Sequence, residues 1–273
     1  MRRKMISRGF SGVPTDIPRP YEAQHAAIAR QAAAEGIVLL ENSILPLPKG
    51  AKVALFGAGA SKTVKGGTGS GDVNERYSVS VYEGLKNAGL TVTTEDWIAD
   101  YDRRYAAARE EWKREVLSKV TDGGPGFFNA YAATPFRIPV GAPAHKTDTD
   151  TALFVIARIA GEGADRFAGE GDYFLSHQEH RLLADICGLY ETVIVLVNAG
   201  GVVDLSFMDE FPQIKALLVI SQPGMEGGNA VADVLSGRVN PSGKLADTWA
   251  MRYEDYPNAA TFSHNNGNVS TEE

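Results

Sequence analysis

Two short runs place carboxylates where chemistry can happen. In Arg158-Ile159-Ala160-Gly161-Glu162-Gly163-Ala164-Asp165-Arg166, Glu162 stands between two glycines, directly after an apolar, strand-like run at 151–157. Flanking glycines let the carboxylate swing and let a substrate approach the backbone closely. The carboxyl end of a strand in an open parallel sheet is also where ligands bind. The triplet Gly169-Glu170-Gly171, eight residues on, competes for the same role. Asp165 and Arg166 read as a structural ion pair or loop brace, because a permanent cation beside the acid would hold its pKa down.

The run Lys65-Gly66-Gly67-Thr68-Gly69-Ser70-Gly71-Asp72-Val73-Asn74 interleaves four glycines with hydroxyl, carboxylate and amide groups. Exposed backbone amides and short polar side chains suit a ligand covered in hydroxyls, and a plain surface loop fits the same spacing. A phosphate site fits poorly. For Lys62 and Thr63 to belong to a phosphate loop, Phe56 and Ser61 would have to be glycines, and a dinucleotide fingerprint from Gly57 needs a small residue where Lys62 stands. His177 and His180 share a helix face without further ligands at metal spacing, so they read as solvent-facing. Neither a metal nor a cofactor is expected.

The elements that must position these groups follow from periodicity. Residues 22–41 read as an Ala-rich helix stopped by Pro46 and Pro48, 79–88 as a helix and 100–120 as a long charged helix. In that last helix Arg109, Glu110, Glu111, Lys113, Arg114 and Glu115 form a solvated face. Strands are expected at 52–56, 90–94, 151–157, 192–198 and 214–221, and helices at 176–190 and 225–236. Ser176 with Glu179 three residues on makes a capping box. Runs such as Val193-Ile194-Val195-Leu196-Val197 do not alternate, so both faces of those strands are covered. The fold class is α/β, a mostly parallel sheet sandwiched between helices. Residues 121–150, rich in Gly, Pro, Ala and aromatics, form an excursion rather than a linker. Its Phe127, Phe128, Tyr131 and Phe136 either stack on a ligand ring or fill the core.

The chain has 273 residues, 44% hydrophobic and 22% charged, with a net charge of -7. That acidic balance argues against nucleic acid or an anionic membrane surface as partner. No apolar run approaches a membrane span or a secretion signal, and the lone Cys187 lies in an apolar helical stretch. A buried thiol in a reducing, cytoplasmic setting is the expectation.

Several segments together resemble the C-terminal-type α/β sandwich domain of glycoside hydrolase family 3, the β-glucosidase and β-xylosidase family. They are Ala33-Ala34-Glu35-Gly36-Ile37-Val38-Leu39-Leu40-Glu41-Asn42 with Leu45-Pro46-Leu47, Val53-Ala54-Leu55-Phe56-Gly57, the loop 66–74 and Gly161-Glu162-Gly163-Ala164-Asp165-Arg166. Gln222-Pro223-Gly224-Met225-Glu226-Gly227-Gly228, leading to Pro241-Ser242-Gly243-Lys244-Leu245, completes the set. The resemblance implies a retaining, exo-acting β-glycosidase. An Asp on a separate barrel domain attacks the anomeric carbon, and Glu162 protonates the leaving oxygen. Glu170 falls in the following variable loop. The two carboxyls would stand about 5–5.5 Å apart, and Thr68, Gly69, Ser70 and Asp72 would rim the sugar site. The substrate is then a β-linked oligosaccharide or glycoside.

The sandwich consumes this chain, so the nucleophile must come from a barrel in the same or another polypeptide. The layout expected is an irregular leader at 1–21, the sandwich at 22–260 and a truncated polar tail at 261–273. An early start resembles members with reversed domain order. Alone, the chain is expected to be inactive. The competing reading is a carbohydrate-binding or scaffold module without turnover.

Overall fold

The computed structural model describes residues 18–73, 75–120, 124–160 and 166–259. A six-stranded sheet forms its centre, in the order β1-β6-β5-β4-β2-β3. The strands are β1 (Val38–Asn42), β2 (Lys52–Phe56), β3 (Thr91–Val92), β4 (Thr151–Ala157), β5 (Thr192–Asn198) and β6 (Ile214–Val219). All neighbours pair in parallel except β1, which lies antiparallel on β6 at the edge. From Ala152 to Ala157 and from Val193 to Asn198 every residue is buried, so helices cover both faces.

The principal helices are α1 (Pro20–Gly36), α2 (Val81–Asn87), α3 (Glu95–Ser118), α4 (Gly124–Ala132), α5 (His177–Leu189) and α6 (Gly227–Leu235). Helix α6 packs on α1 and α2. Its contact with α2 is unusually close. A Cβ on Gly228 would lie 1.8 Å from the Ser80 carbonyl oxygen, so only glycine fits. Helices α3 and α5 pack on β2 and β5. Right-handed crossovers require α2 and α3 to lie on opposite faces, because the chain leaves β2 toward β3 on one side and returns to β4 on the other.

Three expected elements differ. The helix expected at 22–41 ends at Gly36, and residues 38–42 form β1 instead. Val38 and Leu39 pair with Val219 and Leu218, a long-range partner that local periodicity cannot register. The strand expected at 90–94 is reduced to Thr91–Val92. Thr94 leaves the ladder because its hydroxyl accepts from Leu55 N at 2.8 Å and donates to Leu55 O at 2.9 Å. Helix α3 starts at Glu95 rather than Asp100, with Glu95 and Asp96 in its first turn where the helix dipole favours anions. The capping box at Ser176 and Glu179 is present as expected.

The excursion after α3 packs onto the sheet. It contains α4, and its remaining chain is held by Trp97 Nε1 donating to Ala142 O (3.0 Å), Tyr101 OH to Pro139 O (3.1 Å) and Tyr190 OH to His145 O (2.7 Å). Cys187 is buried, and burial pushes its thiol up to about 12. Among the described residues no helix is long and apolar enough to cross a membrane.

Candidate functional site

Strand β2 has β3 on one side and β4 on the other, so the chain reverses direction across the sheet at β2 and β4. In open α/β sheets the crevice beyond such a reversal is the ligand site. The two loops leaving the carboxyl ends here are 57–73, from β2, and the stretch that begins at Arg158, from β4. These are the two glycine-rich runs singled out in the sequence. They touch directly, Thr68 N donating to Ala160 O at 3.4 Å.

The β2 loop starts with Gly57 at φ 97, where a Cβ would lie 2.4 Å from Val155 O. Only glycine permits that departure from the strand. The loop is then tied down by Asn198, fully buried at the end of β5. Its Oδ1 accepts from Val64 N (2.6 Å), and its Nδ2 donates to Val64 O (2.9 Å) and Ser221 O (2.6 Å). Asn198 therefore joins the loops after β2, β5 and β6 through backbone groups alone.

The β4 loop is held by charge. Arg158 is buried and donates to both carboxylate oxygens of Glu179 (2.6 and 3.0 Å) and to the carbonyls of Ala157 (2.9 Å), Asp172 (2.7 Å) and Phe174 (3.3 Å). All five guanidinium N–H groups are thereby used. At the far side Arg166 pairs with the Asp172 carboxylate and donates to its carbonyl at 2.9 Å. Asp172 Oδ2 accepts from Phe167 N at 2.8 Å. Both ends of the segment carrying Glu162 are thus anchored on residues 172–174. Glu162 and Asp165 themselves lie outside the described residues.

A polar cavity of about 360 Å³ opens beside these loops. Thr68 and Asp72 line it, with Lys62, Lys65, Glu75, Tyr105, Arg109, Tyr131 and Ile159 among the other walls. Gly69 lies outside the lining, at the start of a short 3-10 turn at Gly69–Gly71. Lys65 pairs with Glu75, donates to Val73 O at 2.8 Å and stands 3.7 Å from Asp72. That ammonium holds the Glu75 carboxyl below its ordinary range. Burial raises the Tyr105 phenol.

Glu170 lines neither this cavity nor a second, apolar one of about 270 Å³ near Tyr173, Tyr253 and Tyr256. Its carboxylate accepts from His177 N at the start of α5, at 3.4 Å. His177 is exposed, and His180 bonds Glu210 at 2.9 Å. Among the described residues no group of three His, Cys, Asp or Glu could hold a metal.

Sequence reasoning placed Arg109 on a solvated face, which the structure corrects. Its guanidinium lies 4.3 Å from the Trp112 ring centre and 4.7 Å from that of Phe136, and it forms part of the cavity wall. Of the four aromatics in the excursion, Tyr131 alone lines the cavity, while Phe136 packs against Tyr105 and Trp112. Phe127 and Phe128 are exposed outside it. Arg158 belonged to a recognised run, yet its partnership with Glu179 was not readable from spacing.

The chain is similar to known proteins along most of its length. The family model described as "Glycosyl hydrolase family 3 C-terminal domain" matches residues 37–273. Beta-glucosidase A of Butyrivibrio fibrisolvens is 36% identical over 263 residues, covering 88% of this chain and 30% of that protein. A beta-glucosidase of Ruminococcus albus is 32% identical, covering 90% of this chain and 25% of its own length. The chain therefore spans under a third of these relatives. Among solved structures, beta-glucosidase 3B from Thermotoga neapolitana in complex with alpha-D-glucose superposes with a TM-score of 0.70 at 36% identity, over 87% of this chain and 32% of that one. A beta-glucosidase from Paenibacillus barengoltzii gives 0.70 at 35%, over 90% and 26%.

Proposed function

Because the chain belongs to the glycosyl hydrolase family 3 C-terminal domain family, we propose that it is the acid/base-bearing part of a retaining, exo-acting β-glycosidase of the β-glucosidase type. The observation that carries this reading is the meeting of two glycine-rich loops at the chain reversal between β2 and β4, the anchored one containing Glu162.

In the first step a carboxylate on a partner barrel domain attacks the anomeric carbon. The glycosidic C–O bond breaks, and Glu162 gives its proton to the departing oxygen. In the second step Glu162 takes a proton from water as the water oxygen displaces the barrel carboxylate, returning both groups to their starting states. Thr68 and Asp72 accept or donate at sugar hydroxyls, and Gly69 and Ser70 shape the rim. The barrel, in the same or another polypeptide, supplies the nucleophile and most contacts to the terminal sugar.

The test uses a chromogenic aryl β-glucoside and a β-linked disaccharide, with this chain and with the full-length product. The chain alone is expected to give no turnover. In the full-length protein Glu162→Gln should lower kcat/KM for the disaccharide by roughly 10²- to 10⁴-fold. The loss should be smaller for an activated aryl leaving group, which needs less protonation. Glu170→Gln should leave both rates within about twofold of wild type. The reverse ranking transfers the acid role to Glu170, and sugar binding without turnover in the full-length protein favours a non-catalytic module.

A further inference from the structure

The apolar cavity of about 270 Å³ is built from three stretches that are distant in the chain. Phe167, Ala168 and Tyr173 come from the loop after β4, and Gly201 and Val202 from the loop after β5. Tyr253 and Tyr256 come from the 3-10 turn at Tyr253–Asp255 and the residue that ends it. The tyrosine rings brace one another. Tyr173 meets Tyr253 edge-on at 5.3 Å between centres, and Tyr256 stands 6.5 and 6.3 Å from the two. Tyr256 is fixed at its far end, where its hydroxyl accepts from Ala250 N at 3.0 Å. The walls are thus formed before any ligand arrives.

Two polar groups on these walls lack partners. Arg166 uses Nε and Nη2 on the Asp172 carboxylate and carbonyl, and its Nη1 is buried without a hydrogen bond among the described residues. That nitrogen lies against the β5 loop, where a Cβ on Gly201 would stand 3.0 Å from it. Tyr173 is only 6% exposed, and its hydroxyl stands beside the Tyr256 phenol without a well-formed hydrogen bond. A buried donor without an acceptor is unfavourable, and two on one cavity wall mark a place where an acceptor belongs.

Charge and size narrow that acceptor. Asp172 already matches the Arg166 cation, and Asp204 and Glu254 act on the Tyr173 hydroxyl, so a further anion is repelled. A cation would face the guanidinium. The acceptor is therefore a neutral oxygen. Burial raises the Tyr173 phenol above its ordinary range, so it keeps its proton and can donate. The volume lies between the roughly 150 Å³ of a cavity that takes benzene and the roughly 300 Å³ at which drug-sized sites begin. One substituted ring fits. A sugar would need partners around its whole rim, whereas these walls are mostly rings and small apolar groups, which suit an aromatic face.

We propose that this cavity binds a neutral, single-ring aromatic molecule carrying a carbonyl oxygen. Its ring lies among Phe167, Val202, Tyr253 and Tyr256, and its oxygen accepts from Tyr173 and Arg166. No step assigned to Glu162 passes through this cavity, so the two readings stand or fall separately.

The test titrates this chain with acetophenone, toluene, benzoate and glucose, following amide NMR shifts, and repeats acetophenone on the full-length product by saturation transfer. Acetophenone should shift the amides of Ala168, Val202 and Ala259 and receive saturation from the full-length protein. Toluene, which lacks the oxygen, and benzoate, which is charged, should each bind at least about fivefold more weakly. Glucose should leave these amides unmoved. Tyr173→Phe keeps the ring and should weaken acetophenone about fivefold while leaving toluene unchanged. Val202→Trp fills the cavity and should abolish binding of both, with thermal unfolding showing which variants are folded. If Val202→Trp does not fold, Tyr173→Phe decides. No acetophenone binding in either protein, tighter binding of benzoate or glucose, or an acetophenone affinity untouched by Tyr173→Phe overturns the proposal. Hydrolysis of a β-linked disaccharide by the full-length product, present or absent, bears on the proposed function alone.

Discussion

The loops that meet above β2 and β4 are restrained by different chemistry. The β2 loop is held by Asn198, a neutral amide whose two donors and one acceptor engage only backbone atoms. The β4 loop is held by Arg158, an ion whose five donors reach three carbonyls and one carboxylate. An amide can be buried with no charge to neutralise, so its loss costs its hydrogen bonds and leaves only neutral backbone groups unpaired. A buried guanidinium needs its counter-charge, and removing either member strands the other in a poorly solvated place. The ionic restraint reaches more of the chain and depends more on its partner. It is found beside the segment proposed to carry the proton donor, where position matters most.

The comparison can be broken from either side. The largest effect is expected for Arg158→Met, which leaves the Glu179 carboxylate buried without its cation. Urea unfolding should show a loss of about 3–5 kcal/mol. Adding Glu179→Met should restore at least half of it, despite the lost capping box, and no recovery would show that charge pairing is not what matters there. Asn198→Ala should cost less, about 2–3 kcal/mol, from stranding Val64 N–H and two carbonyls. A smaller loss for Arg158→Met than for Asn198→Ala would reverse the argument.

A weaker effect is expected at Glu75, whose pKa is held down chiefly by its hydrogen bond to Lys65. A carboxylate with a depressed folded pKa contributes stability that is fully present above its unfolded value, roughly 4.3, and is lost as pH falls through the folded value. The stability gap between wild type and Glu75→Gln should therefore close below about pH 4. Thermal unfolding between pH 3 and 7 measures it, and a constant gap would remove the ion pair from the account. The smallest response belongs to Cys187, whose thiol is buried and pushed up to about 12. Iodoacetamide at pH 8 should leave the native chain unmodified and label it in urea.

Much of the fold was readable because it rests on local pattern. The bounds of β2, β4 and β5 follow from unbroken apolar runs, and the start of α5 from Ser176 and Glu179. Strand β1 was not readable. It continues an Ala-rich helical stretch, and its identity depends on pairing with β6, far along the chain. At the site, both glycine-rich loops were visible as residue types, and Thr68 and Asp72 do line the cavity. Arg109 was hidden, because a charged residue on a charged helix looks solvated until Phe136 arrives from the excursion to cover it.

The sequence by itself determined which residues could act, since glycine spacing and the chemistry of carboxyl and hydroxyl groups are properties of neighbours in the chain. It also determined the layered α/β class, since burial on both faces of a strand is written in continuous apolar runs. Only the tertiary structure decided which of those residues share a site. Asn198 with Val64, Arg158 with Glu179 and Arg109 with Phe136 are contacts between separate elements. Their existence depends on strand order and crossover hand, which bring distant segments to one end of the sheet.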